Sequence, residues 1–144
     1  MKYLAALVCV VGLLGGCSSF ERDWEVAGES PTPTDAITGR WTGTWQSDVN
    51  QHTGELRAII TPIDKDTYQA RYHATWGGWL SGEYTTDLQV TGRDGGRVQF
   101  ESSKDLGWLY GGVYHMTGHA TPTEFISHYK SEHDHGTYTL NRPQ

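Results

Sequence analysis

Seven histidines are the residues of this chain best equipped for chemistry. His115 and His119 stand at the i, i+4 spacing that chelates a metal on a helix. In an extended strand the same two roots lie about 13 Å apart, so the spacing carries no metal reading there. Pairing across strands is more productive. A hairpin turning at Thr121-Pro122, with Ala120 opposite Thr123, sets His115 opposite His128 on one face, their side-chain roots about 5 Å apart. His133-Asp134-His135 follows in the next loop, while His52 belongs to an earlier one. A surface zinc, copper or nickel site on His115 and His128 is the chemistry this would permit. The plainer and preferred reading makes them polar residues on the solvent face of a sheet. Asp134 is expected to cap the tight loop ending at Gly136.

Tyrosines offer a second resource. The same hairpin, continued through a loop at Glu132–His135, places Tyr114 opposite Tyr129, Met116 opposite Ser127, and Tyr129 opposite Tyr138. Tyr114, Met116, Phe125, Tyr129, Tyr138 and Leu140 then share one face. Tyr114, Met116, Ser127, Tyr129 and Tyr138 form a candidate ligand pocket, apolar with a few hydroxyl anchors. The same face reads somewhat better as a filled core whose hydroxyls pair with backbone or water. No catalytic constellation accompanies it: the chain has no G-x-S-x-G elbow and no phosphate loop,. The expectation is a protein that is not an enzyme and needs no cofactor.

The elements that must position these side chains are strands. No stretch beyond Gly39 shows a sustained helical period, and glycines recur every few residues,. Eight strands are predicted, at Arg40–Gln46, Glu55–Ile63, Tyr68–Thr75, Trp79–Thr91, Arg97–Ser102, Gly112–Ala120, Glu124–Ser131 and Thr137–Arg142. Leu106–Tyr110 would add a short extra one, and the fourth strand would bend or divide near Gly82. Turn signals at Asp64-Lys65-Asp66, Gly77-Gly78, Asp94-Gly95-Gly96, Thr121-Pro122 and Asp134-His135-Gly136 join antiparallel neighbours. Val90 opposite Val98 and Leu88 opposite Phe100 extend the same apolar face. An open eight-strand meander leaves bare edges, so an all-β, antiparallel up-and-down barrel is expected.

The N-terminus addresses location. Lys2 precedes an apolar run from Leu4 to Leu14, and Leu14-Gly15-Gly16-Cys17 follows. That order reads as a lipoprotein signal peptide over 1–16, with Cys17 the lipidated first residue of the mature chain. The run is too short to span a bilayer as a helix. Ser18 after the cysteine, by analogy with the enterobacterial sorting rule, favours an outer-membrane anchor facing the periplasm. Residues 17–38 read as a flexible tether, extended through Glu29-Ser30-Pro31-Thr32-Pro33-Thr34, which would hold a domain at 39–144 off the bilayer. Trp24 within it would lie solvated or rest on headgroups. Losing the signal removes Lys2 and takes the formal net charge from −6 to −7. That acidity argues against nucleic acid as a partner. Cys9 goes with the signal, so the mature chain holds no disulfide and must be stable by packing.

Gly39-Arg40-Trp41 at the start of strand one and Arg142 at the end of the last strand resemble the calycin superfamily (lipocalins, fatty-acid-binding proteins, avidins). There a G-x-W tryptophan plugs one end of the barrel and a late arginine packs across it. The resemblance implies that Trp41 and Arg142 form such a plug, with Trp45 of Gly43-Thr44-Trp45 as the alternative. The chain is shorter than lipocalins and lacks their C-terminal helix and disulfide. Trp41-x-Gly-x-Trp45, Asp105-Leu106-Gly107, Gly111-Gly112-x-Tyr114 and Tyr129-x-Ser-x-x-Asp134-x-Gly136 are similar to a group of bacterial barrel proteins with no assigned activity. Two readings of function follow. One is an envelope carrier or sensor binding a small hydrophobic ligand inside the barrel. The other is a filled barrel that meets an envelope protein partner through exposed aromatics such as Trp76, Trp79 and Trp108, forming an apolar patch at one barrel end.

Overall fold

A computed structural model describes residues 19–31 and 33–144. The signal peptide expected over 1–16 and the expected lipidation site Cys17 lie outside the described residues. An N-terminal helix, α1 (Ser19–Glu29), precedes eight strands: β1 (Gly39–Ser47), β2 (Thr53–Pro62), β3 (Thr67–Trp76), β4 (Leu80–Asp94), β5 (Arg97–Asp105), β6 (Val113–Ala120), β7 (Glu124–Lys130) and β8 (His135–Asn141). Each strand pairs with the next, and β8 returns to β1 from Thr42↔Asn141 to Ser47↔Gly136, closing an antiparallel barrel. Leu106–Tyr110, expected as a short strand, instead holds one 3-10 turn, Trp108–Tyr110, between β5 and β6. β4 runs undivided through Gly82 for 15 residues.

Alternation builds the core. Trp41, Leu56, Ala58, Ile60, Tyr68, Ala70, Tyr72, Leu88, Val98, Phe100, Met116, Ala120, Phe125, Tyr129 and Leu140 are buried in one cluster. They occupy alternate strand positions, as a period of two requires. The outward rows carry Gln69, Asp87, Gln89, Gln99 and Glu101, which suits a wall facing water.

The predicted faces hold, but three registers move by two residues. Met116 lies opposite Tyr129, not Ser127, and Ser127 opposite Tyr138. The turn after β6 is Pro122-Thr123, closed by Thr121 N–H to the Glu124 carbonyl at 2.8 Å. Proline's fixed φ suits the first central position of a turn and not the second, which moves the hairpin one residue on. The next loop is Ser131–Asp134, closed by Ser131 N–H to the Asp134 carbonyl at 2.7 Å. Val90 meets Phe100, because Gly95-Gly96 makes the tight turn and a bulge falls between Val90 and Gly92,. A shift of two preserves the face while changing every partner.

The tether reading is corrected by α1. Residues 19–29 are helical, and the helix lies against β1 and β2. Phe20 is fully buried, 5.2 Å from the His73 ring. The Trp24 indole, expected to be solvated or membrane-bound, lies under the Arg40 and Arg57 guanidinium groups at 5.1 and 5.2 Å. Glu21 is ion-paired with Arg57, and Asp23 meets Arg71 at 2.5 Å. The barrel unit also begins before residue 39: Ala36 and Ile37 are buried in its core.

Candidate functional site

The two ends of the barrel differ. At the end where β1 begins, Trp41 is fully buried and its indole N–H donates to the Ile37 carbonyl at 2.8 Å. The Arg142 guanidinium stacks 3.8 Å above that ring. It donates to the carbonyls of Thr38 at 2.6 Å, Pro122 at 3.2 Å and Ala36 at 3.3 Å. One cation thus satisfies carbonyls from both chain ends while its face meets an aromatic face. Asp35 braces the same segment. Its carboxylate accepts from the Ile37 and Thr38 N–H groups and the Thr38 hydroxyl. Burial alone would raise its pKa, but these hydrogen bonds together hold it below the usual carboxylate range,. Trp41 is therefore the plug. Trp45, the alternative, lies in the other half of the barrel and reaches over Gly54 to donate to the Thr75 carbonyl at 2.8 Å.

The predicted pocket residues converge inside the barrel, joined by two tyrosines the sequence reading passed over. Tyr72 and Tyr84 stack at 4.9 Å, Tyr138 meets Tyr72 edge-on at 5.6 Å, and Tyr129 lies 5.1 Å from Tyr138 and 5.8 Å from Tyr114. Four of the five hydroxyls have partners. Tyr84 and Tyr138 share a hydrogen bond of 2.9 Å, Tyr72 donates to Met116 Sδ at 3.8 Å, and Tyr129 donates to Asp134 at 3.3 Å. Burial pushes the Tyr138 phenol up to about 12 and those of Tyr72, Tyr84 and Tyr129 up as well. All stay protonated at neutral pH, so they offer hydroxyls and ring faces, not phenolate chemistry. Ser127 Oγ is buried with no hydrogen-bond partner. The signal for Tyr72 and Tyr84 was the alternation itself: Tyr68, Ala70 and Tyr72, then Tyr84, Thr86, Leu88 and Val90, continue the inward rows.

The wall opens beside this cluster. The β4–β5 ladder runs from Asp94↔Arg97 only to Gln89↔Glu101, whereas β3 and β4 stay paired down to Trp76↔Leu80. Beyond Gln89 the two strands part around a cleft of about 700 Å³. Thr86 and Ser102 face each other across it with a hydroxyl contact of 2.6 Å, and Met116 lies at its inner side. Lys104, in the inward row of β5, adds a cation. Of the predicted pocket residues, Met116 lines this cleft. Tyr114, Ser127, Tyr129 and Tyr138 do not.

The far end carries exposed apolar side chains on two tips flanking the parted strands. Trp79 and Leu80 stand at the β3–β4 turn, and Trp108, Leu109 and Tyr110 in the β5–β6 loop. Trp79 is 82% exposed and Trp108 86%. Trp76, expected with them, is only half-exposed and packs over Gly82.

The histidine pair does not form. His115 lies opposite Lys130 and His128 opposite Thr117, and on its other side His128 meets Thr137 of β8, with Nδ1 3.1 Å from Thr137 Oγ1. The two-residue register shift separates the histidines and sets a lysine where a ligand was expected. Among the described residues no group of three His, Cys, Asp or Glu side chains could hold a metal. Asp134 does not cap its own loop either. It accepts from Ser47 Oγ at 2.6 Å, tying the β7–β8 loop to β1, while Ser131 Oγ accepts from the His133 and Asp134 N–H groups.

No protein-family model, no curated protein and no solved structure matches the chain.

Proposed function

We propose that this chain is a calycin-like lipoprotein, anchored through Cys17 to the outer membrane and facing the periplasm, which holds a small amphipathic molecule in the β4–β5 cleft. The observation that carries this reading is the early end of the β4–β5 ladder. Parting two strands of a closed barrel forgoes backbone hydrogen bonds of about 1 kcal/mol each, a cost with no packing return unless the opening is used. The lining suits a molecule with a polar head and an apolar remainder. Lys104 and one proton of the paired Thr86 and Ser102 hydroxyls offer donors, and Met116 an adaptable apolar contact,. The hydrophobic ligand of the tyrosine face is thereby moved to the wall, since the hydroxyls of Tyr72, Tyr84, Tyr129 and Tyr138 already pair with one another or with neighbours. Binding without turnover is the proposed role.

Ser103→Trp tests this reading, because Ser103 lines the cleft from the exposed face and the new ring would fill it. Titration with a fluorescent medium-chain fatty acid is expected to show binding that the variant weakens tenfold or more, a loss of about 1.4 kcal/mol. No binding by the parent chain, or equal binding by an equally stable variant, overturns it.

The exposed Trp79 and Trp108 favour a second reading, a filled barrel that serves as a protein interaction module,. Under it Ser103→Trp is silent and Trp79→Ala weakens a partner complex.

A further inference from the structure

Ser19, the first described residue, lies against Arg71, midway along β3, the strand that runs on to the tryptophan-bearing end. The last turn of α1 sits against Arg40, beside the plugged end. Its first residues sit at the other side of the helix: Ser19 Oγ accepts from Arg71 at 2.7 Å, and Phe20 packs on His73. His73 pairs with Glu83, three rungs from Trp76↔Leu80, where the β3–β4 hairpin ends. Arg71, the partner of Ser19, stands five rungs from Trp76↔Leu80, so at about 3.3 Å per rung it lies roughly 17 Å from the end of that hairpin ladder,. Cys17 stands two residues before Ser19, a span of at most about 7 Å of chain,. Clamped by Phe20, Trp24 and two ion pairs, α1 removes the slack that a free tether would give.

The side chains at that end suit an interface between water and lipid. Trp79, Leu80, Trp108, Leu109 and Tyr110 combine apolar bodies with indole N–H and phenol groups, the pairing that favours the headgroup level of a bilayer,. They project on two separate tips, shaped by Gly77, Gly78, Gly107 and Gly111, all at positive φ. Insertion of tips needs no complementary partner surface. Asp105 and Glu132 at the same end oppose an anionic surface,.

We propose that the Trp79–Leu80 and Trp108–Tyr110 tips insert into a zwitterionic lipid surface, so that the barrel stands on the membrane with its plugged end outermost. The inference rests on lipid attachment at Cys17. It also places the lower mouth of the β4–β5 cleft against the bilayer, where an amphipathic molecule would enter sideways.

The experiment uses the full chain, recovered in detergent and reconstituted into phosphatidylcholine–phosphatidylethanolamine vesicles. One set carries lipids brominated near the glycerol end of their acyl chains, which quench tryptophan on contact. Emission is expected to be dimmer in the brominated set. Trp79→Ser combined with Trp108→Ser is expected to abolish most of that dimming, and Trp24→Phe to leave it intact. Both tip residues are exposed, so the barrel persists in the double variant. Equal emission in the two vesicle sets, or dimming that survives the double variant, overturns the inference. Equal emission with cross-linked dimers that the double variant loses would assign the tips to a second copy. The mass of the same chain reports whether Cys17 carries lipid, so a missing anchor and a missing docked end are read separately.

Discussion

Asp35 shows how much one side chain holds at the plug. Four donors converge on its carboxylate, the Tyr68 hydroxyl at 3.5 Å being the weakest. Its folded pKa lies below the unfolded value, so the stability it contributes is present above about pH 4 and is lost as pH falls through the folded value,. Asp35→Asn is expected to cost about 1 kcal/mol at pH 7, since the group is partly exposed. In urea titrations the gap between parent and variant should narrow steadily below pH 4. A gap independent of pH would mean that the carboxylate charge is not what these donors need. Arg142 works at the same scale. Arg142→Gln leaves half-buried carbonyls of Thr38 and Ala36 short of donors and Trp41 without its cation. A loss of about 3 kcal/mol is expected, read from the same urea midpoints.

At the scale of elements, α1 and the barrel are separable. Phe20 is buried, yet it stands outside the core cluster that the eight strands share. Phe20→Ala is therefore expected to free the helix, with faster proteolytic cutting between residues 19 and 34 and a barrel melting temperature within a few degrees of the parent. A large fall in barrel melting would show the helix to be part of the core. The sequence disclosed the strands because Leu56-x-Ala58-x-Ile60 or Val98-x-Phe100 announces a period of two over a whole element. It disclosed faces and not partners, because a register slip of two leaves the face intact, and the turn chemistry of Pro122 and the bulge near Thr91 decided the rest. His115 and His128 failed as a pair for that reason alone. The helix stayed hidden because eleven residues with one buried side chain give a weak period, and the prolines after it read as tether,. Its signal was Phe20 and Trp24 at i, i+4 with acids between them, facing Arg57 and Arg71 on strands far along the chain. The cleft left no mark in composition, since Thr86 and Ser102 look like ordinary strand residues.

For the whole molecule, polarity runs from end to end: a sealed pole with Trp41 and Arg142, a waist parted between β4 and β5, and a pole of exposed indoles. That ordering joins the docking and cleft proposals, because a bilayer at the indole pole would supply the cleft directly. The seal has a consequence for birth. Arg142 reaches Thr38 across 104 positions of sequence, and β8 must pair with both β1 and β7. A chain made from its N-terminus has Trp41 in place about a hundred residues before Arg142. Until then the wall has two raw edges and the pole has no lid. A chain that lacks β8 thus makes no lesser barrel but an open ribbon.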